Sequence, residues 1–181
     1  KLNSSTIGMI EARCIGSAAM SGRITAVDAN NKEPRIFYVG TAGGGIWKTT
    51  NAGVSFEPVF DKHCQSIGAL AVDQNHPDVI WAGTGESNMR NSVSVGNGLY
   101  KSSDAGKNWV KVGLENSEHI SKILIDPNNS DIVYVAVPGH LWGSNPDRGL
   151  YKTTDGGATW EKILYISETA GCSEVIMDPT N

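Results

Sequence analysis

Ser102-Ser-Asp104-Ala-Gly106-Lys-Asn-Trp109 and Thr153-Thr-Asp155-Gly-Gly157-Ala-Thr-Trp160 repeat one pattern, Ser/Thr-x-Asp-x-Gly-x-x-Trp. A third copy, Thr49-Thr-Asn51-Ala-Gly53-Val-Ser-Phe56, carries Asn for Asp and Phe for Trp. The glycines of the three copies, at 53, 106 and 157, lie 53 and then 51 residues apart. The pattern describes a hairpin turn. The carboxylate can accept from turn N–H groups. The glycine permits a positive φ that other residues disfavour. The aromatic packs its ring beside the hairpin, where such a side chain buries roughly 150–250 Å². Asp104 and Asp155 recur from repeat to repeat, whereas an active site is single. We therefore expect Asn51, Gly53, Phe56, Asp104, Gly106, Trp109, Asp155, Gly157 and Trp160 to be structural, not catalytic or calcium-binding.

Working outward, the hairpins sit in register within a larger repeat. Apolar runs ending in Asp stand at Ile24–Asp28, Ile67–Asp73, Ile120–Asp126 and Val175–Asp178. Short β-rich runs follow at Ile36–Val39, Val79–Ala82 and Ile132–Val135. Gly45-Ile-Trp-Lys-Thr, Gly98-Leu-Tyr-Lys-Ser and Gly149-Leu-Tyr-Lys-Thr then lead into the hairpins. We name these strands A, B and C. Strand D follows the aromatic at 56, 109 or 160. β-Branched and aromatic enrichment, short length and bounding Gly, Pro, Asn and Asp all favour strands. Four short strands per repeat of about 50 residues predict an all-β fold, a β-propeller of four-stranded antiparallel blades. The blades fall roughly at 20–60, 67–113 and 120–164, with the start of the next at 173–181. That makes about three blades and one strand. Propellers close with about four to eight blades. We expect a fragment of a larger propeller, its remaining blades coming from the same polypeptide or a partner chain.

The composition agrees with a packed protein. Of 181 residues, 39% are hydrophobic and 19% charged, with 21 glycines to serve turns. The formal net charge is −4 and there is no Lys/Arg run, which argues against a nucleic-acid groove. No apolar stretch reaches the roughly 18 residues that span a bilayer. The sequence starts Lys1-Leu2-Asn3, so we expect a processed or excised chain. Cys14, Cys64 and Cys172 include no closely spaced pair, so no metal site is expected and the disulfide state stays open. No cofactor is expected.

The blades differ in one half. From the strand-C glycine to the next strand-A Asp the spacing is 28, 28 and 29 residues; from the strand-A Asp to the strand-C glycine it is 17, 25 and 23. The extra length falls between strands B and C, in loops at 84–97 and 138–148, on the rim opposite the hairpins. Variable loops on a rigid scaffold are where binding usually sits. Candidate ligand-binding residues there are Glu86, Asn88, Arg90, His140, Trp142 and Arg148. The D–A links add Arg23, His63, Glu118 and His119. An exposed Trp beside Arg, His and Asn suits a sugar or peptide. Equally, Trp142 can plug a loop against its neighbour and Arg90 or Arg148 can pair with a local acid. The histidines, about one per blade, read as polar decoration.

The hairpins, the Gly43-Gly-Gly-Ile-Trp-Lys-Thr-Thr50 opening and the Gly83-Thr-Gly-Glu86…Arg90-Asn-Ser92 loop resemble the bacterial Asp-box (BNR-repeat) proteins, often labelled glycosyl hydrolase or sortilin-like. Sialidases, sortilin, a photosystem II assembly factor and xyloglucan-cleaving endoglucanases are related propellers. Ile15-Gly16…Gly22-Arg-Ile-Thr25…Tyr38-Val-Gly-Thr41-Ala42-Gly-Gly44 is similar to the start of the xyloglucanases. The resemblance implies a catalytic Asp after the strand-B Thr, a place held here by Ala42. A methyl group takes no proton from water, so inverting hydrolysis by paired carboxylates loses one partner. An Arg-Ile-Pro segment and a sialidase-type arginine triad are also missing from the sequence.

These residues lead us to expect a non-catalytic recognition scaffold, secreted, periplasmic or at the cell surface, that binds glycan or protein through the loops opposite the hairpins. The competing classes are a glycoside hydrolase, with carboxylates from loops such as Glu86 or from further blades, and an assembly factor for a protein partner.

Overall fold

The computed structural model describes residues 23–178. Cys14 lies outside the described residues. The fold is all-β, three four-stranded antiparallel sheets in sequence order. The first holds β1 (Ile24–Ala29), β2 (Phe37–Thr41), β3 (Ile46–Thr49) and β4 (Glu57–Pro58). The second holds β5 (Ile67–Val72), β6 (Ile80–Thr84), β7 (Leu99–Ser102) and β8 (Val110–Lys111). The third holds β9 (Lys122–Ile125), β10 (Val133–Val137), β11 (Gly149–Thr153) and β12 (Glu161–Leu164). Each is a meander whose neighbours in the chain are neighbours in the sheet, as in a propeller blade. Among the described residues, no helix is long and apolar enough to cross a membrane.

The sheets stack face to face. Ile46, Phe60, Leu70, Ile80 and Tyr100 fill the space between the first and second. Ala69, Trp81, Leu99, Ile120, Ile123 and Val135 fill that between the second and third. The middle sheet is covered on both sides, so β5 and β6 are buried throughout.

One expectation is corrected. The B strands each run two residues further than the apolar runs, ending at Thr41, Thr84 and Val137. Gly40 and Gly83 look like strand exits in sequence, yet both remain in the ladder because the neighbouring sheet presses on them. A Cβ at Gly40 would stand 2.6 Å from Ile67 Cγ2, and one at Gly83 would stand 2.4 Å from Ile120 Cγ2. Residues 173–178, expected as the start of a further blade, form no ladder among the described residues.

The C–D hairpins share one geometry. Asp104 Oδ1 accepts from Asn108 N at 2.8 Å and from Ser102 Oγ at 2.9 Å, while Oδ2 accepts from Asn108 Nδ2. Asp155 does the same with Thr159 and Thr153. The bonds from Asn108 hold the Asp104 carboxyl down at about 2, and those from Thr159 and Thr153 hold Asp155 below the usual range. Asn51 keeps the scheme with an amide, its Oδ1 accepting from Ser55 N and Thr49 Oγ1 and its Nδ2 donating to Ser55 Oγ. Gly53, Gly106 and Gly157 all take φ between 87° and 98°. The aromatics reach further than expected. Trp109 and Trp160 donate across the sheet boundary to the Val59 and Val112 carbonyls, whereas Phe56 lies edge-on to Phe37 of its own sheet.

Candidate functional site

The B–C and D–A connections interlock along the rim away from the hairpins. Ala42 N donates to Arg23 O, and Gly45 N to Gln65 O. Gly85 N donates to Ser66 O, Gly96 N to Glu118 O, and Asn145 N to Glu168 O. Backbone groups in irregular segments need such partners when water is excluded. The result is a continuous ridge of loops from the first sheet to the third.

Arg23 and Glu86 meet on this ridge, 63 residues apart. Arg23 Nε donates to Glu86 Oε1 at 2.9 Å, and its NH2 donates to Oε2. The pairing is bidentate, the geometry a guanidinium imposes on a carboxylate. Glu86 is buried, while the Arg23 side chain keeps 40% of its surface exposed. The Glu86 backbone N–H is held by Ser66 Oγ at 3.0 Å, and that hydroxyl donates onward to Ser94 O. A carboxylate with both oxygens engaged by arginine is an orienting group, and it presents Arg23 to solvent.

Beside the pair lie Glu118, His119 and His140. Glu118 adopts φ 54°, and its carbonyl sits where a Cβ on Gly85 would fall, at 1.7 Å. That close approach requires glycine at 85, which explains part of the Gly83-Thr-Gly85-Glu86 sequence. His140 Nε2 lies 3.1 Å from Asn116 O and 3.6 Å from Glu118 Oε1. His119 corrects the expectation of polar decoration. Its ring is 2% exposed and neither nitrogen makes a short hydrogen bond. Burial pushes its pKa down, partly offset by the Glu118 and Glu86 carboxylates. His63 is half-buried against Phe60 and Tyr100, and its pKa is likewise lowered by burial.

The 138–148 loop shows a division of labour between two candidates. Arg148 is not a free ligand-binding group. It is buried, and its guanidinium donates to the carbonyls of Pro138, His140 and Gly143. Five donors in a fixed fork suit it to satisfy loop carbonyls that no strand reaches. Gly139 and Gly143 supply the positive φ values of 75° and 80° that curl the loop around it. Trp142, at the tip, is 77% exposed and plugs nothing among the described residues. Asn88 and Arg90 stand exposed in the other long loop. Cys64 and Cys172 are free thiols. Among the described residues no group of three His, Cys, Asp or Glu is placed to hold a metal ion.

Residues that sequence reasoning passed over are Ser66, which anchors Glu86, and the strand-C lysines Lys48 and Lys101. Lys48 Nζ donates to Ala105 O at 3.0 Å, and Lys101 Nζ to Gly156 O at 2.9 Å, each in the next sheet's hairpin. The available signal was their recurrence at one repeat position.

No protein-family model matches the chain. Over 176 residues it is 28% identical to a xyloglucanase of Hypocrea jecorina, covering 88% of this chain and 20% of that protein. Over 101 residues it is 37% identical to a probable oligoxyloglucan-reducing end-specific xyloglucanase of Neosartorya fischeri, covering 52% of this chain and 10% of that protein. The chain thus spans a fifth or less of the length of these curated relatives. Among solved structures, an ancestral GH74 enzyme superposes with a TM-score of 0.60 at 24% identity, covering 79% of this chain and 18% of that one. YCF48 from Cyanidioschyzon merolae superposes with a TM-score of 0.56 at 17% identity, covering 83% and 40%. At these identities the structural likeness shows the fold, an arc of a β-propeller.

Proposed function

We propose that this chain is an arc of a glycoside-hydrolase-related propeller that works outside the cytoplasm and holds a β-linked glucan of the xyloglucan kind along the ridge of B–C loops. The observation that carries this reading is the sequence similarity to a xyloglucanase across 88% of the chain. The rim chemistry is compatible with it. Trp142 offers an exposed aromatic face, and sugar rings stack on such faces through their C–H edges. Arg23, Asn88 and Arg90 offer directional donors for hydroxyl groups.

In this reading the arc binds and positions substrate, and the acid and base come from other blades. Inverting hydrolysis needs two carboxyl groups, one of them able to give a proton. Both Glu86 carboxyl oxygens are engaged by Arg23, and Ala42 offers only a methyl group. Those two residues also support a second reading, a propeller that binds glycan without cleaving it.

Titration with xyloglucan oligosaccharides, followed by tryptophan fluorescence and by reducing-sugar release, tests both. Saturable quenching that disappears in Trp142→Ala supports glycan binding on this rim. No quenching with any β-glucan refutes it. Sugar release abolished by Glu86→Gln, with binding intact, would make Glu86 a catalytic residue and overturn the positioning role given to this arc.

A further inference from the structure

Asn97-Gly98 is the only Asn-Gly step in the sequence, and Asp155-Gly156 the only Asp-Gly step. In such a step the side-chain carbonyl carbon lies within reach of the next backbone nitrogen, and glycine puts no Cβ in the way of the approach. The structure treats the two side chains differently. Both Asp155 oxygens accept hydrogen bonds, Oδ1 from Thr153 Oγ1 and Thr159 N, Oδ2 from Thr159 Oγ1. Those bonds hold the group as a carboxylate, which is a poor electrophile.

Asn97 carries a neutral amide instead. It is exposed at the end of the 84–97 loop, with Gly98 buried behind it and β7 following at once. The Tyr100 hydroxyl donates to the amide oxygen, Asn97 Oδ1, at 3.1 Å. The backbone on either side is clamped by Thr84. Its Oγ1 accepts from Asn97 N at 2.8 Å and donates to Gly98 O at 2.6 Å, and its N–H donates to the same carbonyl at 3.1 Å. When a nitrogen adds to Asn97 Cγ, negative charge gathers on Oδ1. A donor already aimed at that oxygen stabilises the charge as it develops.

We propose that Asn97 is a site of self-modification, where Tyr100 promotes conversion of the amide to a cyclic imide and then to isoaspartate or aspartate. Gly98 N loses its proton to water and bonds to Asn97 Cγ. The Cγ–Nδ2 bond breaks, and the nitrogen takes up a proton and leaves as ammonia. Water then opens the imide. Addition at Cγ leaves aspartate. Addition at the Asn97 backbone carbonyl carbon leaves isoaspartate, with the main chain rerouted through Cβ and Cγ. Water is the only co-reactant. Either product places a carboxylate at the root of the loop that carries Glu86, and isoaspartate also lengthens that loop's backbone. The chemistry is independent of what the ridge binds.

Incubation at mildly alkaline pH, followed by tandem mass spectrometry of the tryptic 91–101 peptide, tests this. That peptide also holds Asn91-Ser92 as an internal comparison. Asn97 in the folded chain is expected to convert at least as fast as in the free 91–101 peptide, where nothing positions Tyr100. Tyr100→Phe keeps the ring that meets Phe60 edge-on at 5.2 Å and removes only the donor. It should slow conversion several-fold in the folded chain and leave the free peptide unchanged. Conversion several-fold slower in the folded parent than in the free peptide would overturn the proposal. So would an equal or faster rate in folded Tyr100→Phe, since the Tyr100 bond would then restrain the side chain. Mass gain at Asn91 in place of Asn97 would overturn it as well.

Discussion

The indole Nε1 of Trp109 donates a 2.8 Å hydrogen bond to the main-chain carbonyl of Val59, 50 residues earlier and one sheet away. The ring itself is 8% exposed and meets Phe60 edge-on at 5.0 Å. Trp109→Phe keeps most of the ring and loses the donor, so it should cost about 1 kcal/mol. Trp109→Ala should cost about 3–5 kcal/mol. Trp160→Ala should cost less than Trp109→Ala, because Trp160 is only half-buried. Urea unfolding of the three variants checks the order; equal losses for Phe and Ala at 109 would mean that ring burial contributes nothing.

Gly106 and Gly157 hold similar positive φ values, 88° and 98°, so alanine at either should cost about 1–2 kcal/mol for the backbone alone. Space separates them. A Cβ at 106 finds its nearest neighbour at 3.4 Å, an ordinary contact, whereas one at 157 stands 2.7 Å from the buried Trp81 ring. Gly157→Ala should therefore lower Tm by clearly more than Gly106→Ala. Identical shifts would show that Trp81 yields freely.

How far sequence carried depends on whether a signal repeats. The hairpins and the four-strand meander are legible because Asp104 and Asp155, or Trp109 and Trp160, occupy one place in successive repeats. The third copy is readable for a physical reason: an Asn51 amide satisfies the same turn donors as a carboxylate. The rim is another matter. Arg148 reads as a ligand-binding group because Arg in a long loop usually faces water, and only the fold reveals three carbonyls around it. His119 looks like any surface histidine, since Glu86, one of the groups that act on it, lies 33 residues away in sequence. Gly40 and Gly83 look like turn residues because the side chains that demand glycine there, Ile67 and Ile120, belong to the next sheet.

Acid should loosen the hairpins. The folded pKa of Asp104, about 2, lies below its ordinary 3.8. The unfolded chain therefore binds the proton first, and the stabilisation is complete above about pH 4 and lost as pH falls toward 2. Asp155 acts in the same direction. The double variant Asp104→Asn, Asp155→Asn should fold, as the Asn51 hairpin does, and should show a flatter fall in Tm between pH 4 and pH 2. A slope unchanged from the parent would place the acid-labile groups elsewhere.

A second, milder acid effect should come from His119. Burial lowers its folded pKa below the ordinary 6.5, so its contribution is complete above pH 6.5 and lost as pH falls from there toward the folded value. His119→Leu should reduce the loss of urea midpoint between pH 7 and pH 5, leaving the His63 share, which has the same sign. If the midpoint of His119→Leu falls as steeply as the parent's, His119 carries none of the effect.

The reach of Trp109 to Val59, and of Trp160 to Val112, always goes backwards along the chain by one blade. On a ribosome, which delivers the amino end first, each indole emerges after its acceptor has already left the exit tunnel. No hairpin waits for a distant carboxyl-terminal segment to be made. The newest blade seats itself on its predecessor, so each addition covers one apolar flank as it opens the next, while the first sheet keeps its own, where Ile24 and Val27 are exposed. A gene that doubles one repeat inherits both halves of the joint at once, which is a physical reason why chains of this kind can lengthen by whole blades.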